Sequence, residues 1–197
     1  MKTTSSLSNE NEYLMLVSSA NTINEKINEA RNDLQKKYNF SGAFGSADIF
    51  LAKFNNLNAR EQLLLNAIHE SVRGIAPMFI SMRNILEIPK HSFVIPVTSK
   101  IILTDLVKSL KQITKAIRTA DVKPFFTDNF NVPLFSKLQP QQFEKLLPEC
   151  RQYHFSTQFI ATEIRLLKKD SSQSSSWKTL STFQLKKENN AVQSQLF

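Results

Sequence analysis

Cys150 and His154 stand four residues apart, a spacing that sets a thiol and an imidazole on one face of a helix. A thiolate nucleophile needs such a base and normally an oxyanion hole besides. A metal site would need at least one further ligand, and only His69 and His91 remain of the three histidines. His69-Glu70-Ser71-Val72-Arg73 begins like the helical zinc-hydrolase pattern, yet Arg73 occupies the second imidazole's place. Ser175 and Lys178 have Ser-x-x-Lys spacing inside a serine-rich stretch and lack the companion motifs. Ser41-Gly42-Ala43-Phe44-Gly45-Ser46 lacks the third glycine and the Lys-Ser/Thr sequel of a phosphate cradle, so it reads as a turn. Carboxylate pairs cannot be located by spacing alone. Most of the early ones (Glu10, Glu12, Glu25, Glu29, Asp33) alternate with Lys26, Arg31, Lys36 and Lys37 as a solvated helix face. These residues predict no catalytic machinery, no metal and no cofactor.

Two constellations suit binding instead. Lys108, Lys111, Lys115 and Arg118 step by three, four and three opposite a Leu/Ile seam, which makes one positive stripe on a helix. Such a stripe fits an acidic protein segment, a nucleic-acid backbone or an anionic membrane, although no stacking aromatic is interleaved with it. Phe125, Phe126, Phe130 and Phe135 lie among prolines in a connector, where they either close over the core or form a docking patch. The net charge of +8 is concentrated in residues 91–125 and 151–197, which favours encounters with acidic partners.

The elements that must position these groups read as mainly helical. Tyr13, Leu16, Ala20, Ile23, Ile27, Ala30 and Leu34 alternate by three and four, and Asn9 with Glu12 has capping-box spacing, so a helix is expected over residues 10–38. Ser46 or Asp48 caps a short second helix carrying Ile49, Phe50, Phe54 and Leu57. Asn58 and Glu61 open a third through Leu64, Leu65, Ile68 and Val72 toward Gly74, with a continuation through Met78, Met82, Ile85 and Leu86. Ser92 to Val97 reads as an extended segment or edge strand because of Pro96. Another helix begins near Ser99 and carries Leu103, Leu106, Leu110, Ile113, Ile117 and Ala120. Residues 123–148 read as a Pro/Phe-rich connector with a short helix near 140–147. Residues 153–187 fit two templates. One is a helix followed by a tail; the other is a hairpin in which Ile160, Thr162, Ile164 and Leu166 alternate, as do Trp177, Thr179, Ser181, Phe183 and Leu185.

The fold class is therefore mainly α, with α+β as the variant: a helical bundle with a mixed or β-hairpin-containing C-terminal part. A flexible N-terminus (1–9) precedes a mainly helical domain over 10–169, extended to 187 if the hairpin forms, and a flexible tail (188–197) follows. The lone cysteine excludes an intramolecular disulfide. No Sec signal or membrane span is legible, so a cytoplasmic setting is expected, with delivery by a specialised secretion system left open. The sequon at Asn39 reads as a turn. The expected function is a non-catalytic protein-binding adaptor or chaperone-like subunit, of the kind serving a bacterial secretion or effector system. Its partner would carry an acidic or extended segment, and the heptad seams offer a route to self-association. The alternative is a polyanion binder, of nucleic acid or anionic membrane, using the basic stripe.

Overall fold

The computed structural model describes residues 10–38, 46–117, 123–170 and 176–187. The first of them overturns the long N-terminal helix. Glu10–Val17 is a strand, β1, and the helix α1 is confined to Asn21–Tyr38. Tyr13 and Leu16 satisfy a heptad, but Asn11, Tyr13, Met15 and Val17 satisfy a period of two with equal economy, and all four are buried. Asn24 marks the switch, since its side-chain amide donates to Ser19 Oγ (2.8 Å) and its oxygen accepts the Ala47 N–H (2.7 Å).

The second expected helix is the strand β2 (Ile49–Leu57). After a 3₁₀ turn at Asn58–Arg60, the helix expected next is present as α2 (Glu61–Val72), which buries Leu64, Ile68 and Val72 and ends at Gly74 (φ 74°). Its expected continuation is instead β3 (Met78–Arg83) and β4 (Leu86–Ile88), separated by Asn84 in the left-handed region (φ 60°). β5 (Ser92–Pro96) follows. The next helix, α3 (Lys100–Leu110), gives way to a 3₁₀ segment at Lys111–Lys115, and Ala120 lies outside the described residues. The connector holds two strands, β6 (Phe125–Phe126) and β7 (Asn131–Phe135), before α4 (Pro140–Gln152), which has proline in its first turn and a capping box at Gln139/Gln142. The C-terminal region takes the strand template: β8 (Ser156–Ala161), β9 (Glu163–Asp170) and β10 (Lys178–Gln184).

The molecule is thus an α+β fold and not a helical bundle. A five-stranded antiparallel sheet runs β10-β9-β1-β2-β6. The pairs β3-β8 and β4-β5-β7 form two smaller sheets joined at Met82↔Val97 and by the Thr98 N–H to Ser81 carbonyl bond (2.8 Å). One contiguous core holds the buried faces together. The seams that offered a route to self-association are inside it, since Ile23, Ile27, Ala30 and Leu34 of α1 and Leu103, Leu106 and Leu110 of α3 are all buried. Arg31 ties α1 to the β4-β5-β7 sheet by donating from Nε to the Leu134 carbonyl (3.2 Å) and from Nη2 to the Pro133 carbonyl (2.6 Å).

Candidate functional site

The first sheet has one sealed side and one open side, and register decides which residues share each. Tyr13, Met15 and Val17 pair with Phe54, Ala52 and Ile49 and, across the other edge, with Lys168, Leu166 and Ile164. The apolar members of this side are all buried. Tyr13 Oη donates to Glu61 Oε2 of α2 (2.9 Å), so the helical layer covers it. Burial and the neighbouring Glu61 carboxylate push the Tyr13 phenol far above its ordinary value.

The opposite side carries Leu16 beside Phe50 and Arg165, and Leu14 beside Lys53 and Leu167, with Phe125 beyond Lys53 and Thr179 beyond Leu167. A bulge puts Phe50 there. Met15 faces Ala52 while Leu16 faces Phe50, so Leu51 is the extra residue, and the pleat is offset by one position. Leu51 itself is buried and its carbonyl accepts the Thr127 N–H (2.9 Å), which fixes the chain just after β6.

The open side is aromatic and cationic. The Phe50 and Phe125 rings stack at 5.8 Å with 17° between planes, and Phe125 is 59% exposed. Lys53 Nζ lies 6.0 Å from the Trp177 ring centroid and 3.1 Å from Glu12 Oε2. Arg165 pairs through Nη2 with Asp48 Oδ2, and Asp48 also accepts from Ser46 Oγ and from the Ser19 N–H (3.1 Å). The Asp48 carboxylate is buried while the guanidinium is partly exposed, which leaves an oriented cation at the surface. Among the described residues Arg165 Nε and Asn131 Oδ1 are buried polar atoms without a partner. Asn131 opens β7, the strand the chain enters after leaving this sheet, and lies opposite Pro96.

The expected site residues are dispersed. Lys108, Lys111 and Lys115 are exposed on α3 and its 3₁₀ extension, where three residues per turn replace 3.6 and break the single stripe. Lys108 pairs with Asp105 at 2.9 Å, and Lys115 lines a cleft with Arg60 and Glu70. Arg118 lies outside the described residues. Of the phenylalanines, Phe130 and Phe135 are fully buried core, Phe126 packs against that core, and only Phe125 reaches the surface. The Gly42–Gly45 turn, the sequon and Ser175 also lie outside the described residues. His69 on α2, His91 in the turn before β5 and His154 in the link between α4 and β8 are exposed and apart, and Cys150 is buried inside α4. Burial and the Glu149 charge push its thiol up to about 12, which removes it as a nucleophile at neutral pH. No group of three metal-ligating side chains occurs among the described residues. Phe50, Lys53, Arg165 and Trp177 escaped sequence reading. Alternation around Trp177 marked a strand, but nothing local showed that this strand would lie on the same sheet as Phe50.

The fold is that of the LigT-like phosphoesterases. Escherichia coli LigT in its apo form superposes with a TM-score of 0.62 and 12% identity over 91% of this chain and 100% of that one. LigT complexed with 3'-AMP gives 0.61 and 11% over 90% and 99%, and TT0787 of Thermus thermophilus gives 0.62 and 14% over 90% and 99%. A further structure described as a phosphoesterase gives 0.58 and 11%. No family model and no curated protein matches the sequence. At these identities the likeness is one of fold. It overturns the expectation of a non-catalytic adaptor or chaperone-like subunit with a helical-bundle body, and with it the expectation that the chain is no enzyme, because the architecture is one on which phosphoesterases are built. No described helix is long and apolar enough to cross a membrane.

Proposed function

We propose that the chain takes a ribonucleotide or single-stranded RNA phosphoester on the open side of its first sheet, with phosphoester chemistry as the activity to assay. One observation carries the reading: the Phe50–Phe125 stack lies open beside Lys53 and the Asp48-oriented Arg165. Aromatic rings accept any base face, and cations beside them take the backbone charge, which is the arrangement of sequence-tolerant nucleic-acid binding. The LigT complex with 3'-AMP supports the ligand class. Arg165 is the residue for phosphoryl oxygens, since a planar guanidinium already held by Asp48 needs little reordering to donate. No imidazole of the described residues stands on this side, so Asp48 and Arg165 are the charged pair on which turnover is tested.

Trp177 is the only tryptophan and sits over Lys53, so its fluorescence reports occupancy. Titration with 3'-AMP and with an oligoribonucleotide is expected to quench it saturably, and Phe125→Ala to weaken binding by about tenfold, the loss of one stacked base. Product analysis with the same ligands reads turnover, with Arg165→Met lowering it more than it lowers binding. Unchanged fluorescence up to millimolar ligand, together with unaltered substrate, would overturn the proposal.

A further inference from the structure

A second surface, on the smaller sheets, is independent of that site. β8 pairs only with β3 and is the outer strand of its sheet. The Asn84 N–H donates to the Phe155 carbonyl (2.7 Å). In an antiparallel ladder alternate residues turn their backbone groups toward the neighbour, so Phe155, Thr157, Phe159 and Ala161 serve β3. Ser156, Gln158, Ile160 and Thr162 then point outward. Two of these are occupied: the Ser156 carbonyl accepts from Lys26 Nζ (2.6 Å) and the Thr162 carbonyl from the Leu185 N–H (2.8 Å). Gln158 and Ile160 remain, each with an outward N–H and C=O that has no backbone partner among the described residues.

One feature that hinders strand addition is present, the Lys26 ammonium at the Ser156 end, and the rest of the edge is open. Ser156–Ala161 has no charge and no proline, and its register with β3 runs without a shift. Its outer face carries one large apolar pair. Ile160 is 61% exposed and its register partner Phe79 is 53% exposed. Phe79 in turn lines a shallow cleft of about 380 Å³ with Ile101 and Ile102 at the start of α3.

The geometry points to a second copy of this chain as the occupant, joined β8 to β8 across a two-fold axis through Phe159. That axis places Gln158 of one copy opposite Ile160 of the other, and both residues have their free groups turned outward. Each such pair exchanges two N–H···O=C bonds, so the two pairs use both outward groups of Gln158 and of Ile160 on both edges. The two Phe79–Ile160 patches then lie side by side and exclude water from the new ladder. The strand itself is uncharged, and the antiparallel register sets the two Lys26 side chains at opposite ends of the new ladder, so the edge meets itself without close repulsion. β10, another outer strand of comparable length, begins at Lys178 and is followed by Lys186, and lacks that property.

Sedimentation of the full chain across about 1–100 μM is expected to show mass rising to twice that of one chain. Gln158→Pro removes only an outward N–H, and Ile160→Lys places a charge on the contact. Each is expected to weaken association at least tenfold while the thermal unfolding of the monomer is retained. Hydrogen exchange of the unaltered protein supplies a reading that needs no variant. The Gln158 and Ile160 amides should become protected as concentration rises, while those of Thr157 and Phe159 are protected throughout. A single species of one-chain mass over the whole range overturns the inference. So does a dimer that leaves the Gln158 and Ile160 amides exchanging freely.

Discussion

Leu51 illustrates how much a single residue decides. As the extra residue of a bulge it turns Phe50 out of the core and onto the open side of the sheet, where it meets Phe125. Without the bulge Leu51 would face Leu16 and Phe50 would face Val17 on the sealed side; deleting Leu51 restores regular pairing with Phe50 still opposite Leu16, so the deletion variant should keep the fluorescence response of Trp177 to 3'-AMP. Arg31 is a second such residue, 3% exposed and bonded to two carbonyls of β7. Arg31→Met keeps the aliphatic stem but strands those buried acceptors, and a loss of about 2–3 kcal/mol is expected in urea unfolding. Cys150 makes the opposite case, a reactive residue type made inert by its place. With its thiol held at about 12, it should resist a disulfide-exchange reagent at pH 8 until denaturant opens the fold.

Between residue and fold, elements are held by a few large contacts. α4 docks on the β4-β5-β7 sheet through Phe143, whose ring stacks on Phe93 at 4.7 Å and 8° between planes. Both rings are nearly inaccessible to solvent. Phe143→Ala is expected to cost about 3–5 kcal/mol, read from the denaturation midpoint, and to expose Cys150 on the same helix to thiol reagents. α2 is held at its start by charge as well as by packing, because Glu61 accepts from Tyr13 Oη (2.9 Å) and from Lys168 Nζ (2.6 Å) on two adjacent strands. The helices α2 and α3 were readable because each carries its apolar residues at steps of three and four with turn residues beyond its ends. β2 was not, because Ile49, Phe50, Phe54 and Leu57 happen to fit a helical face once the bulge has disturbed the alternation that would have marked a strand.

At the scale of the whole molecule, two fully buried acids hold their protons longer folded than unfolded. Cys150 at about 12 and Tyr13, also raised, stay neutral in the native state while their unfolded counterparts ionise near pH 9 and 10. The unfolded state then binds fewer protons, so stability falls as pH rises from about 9 toward 12, by up to about 1.4 kcal/mol per pH unit for each group. Urea midpoints at pH 8 and pH 10.5 should show that decline, and Cys150→Ala should make it shallower. Local elements with one clear period were legible in the residues alone: α2, α3, the proline-capped helix after Gln139, the extended segment at Ser92, and the alternation around Ile164 and Trp177. So was the fact that three histidines and one cysteine, so spaced, form no familiar motif. Long-range pairing was needed to establish that β1 lies between β2 and β9, that Phe50, Phe125, Arg165 and Trp177 share one side, and that the edge of β8 stays open. The reason is physical. A helix satisfies its hydrogen bonds within one segment and so prints its period on neighbouring residues, whereas a strand can satisfy them on partners more than a hundred positions away, as the Ser18 N–H just past β1 does on the Glu163 carbonyl. Tyr13 fits either period, with Leu16 on a helix or with Met15 on a strand, and the choice was made by the partners its backbone found.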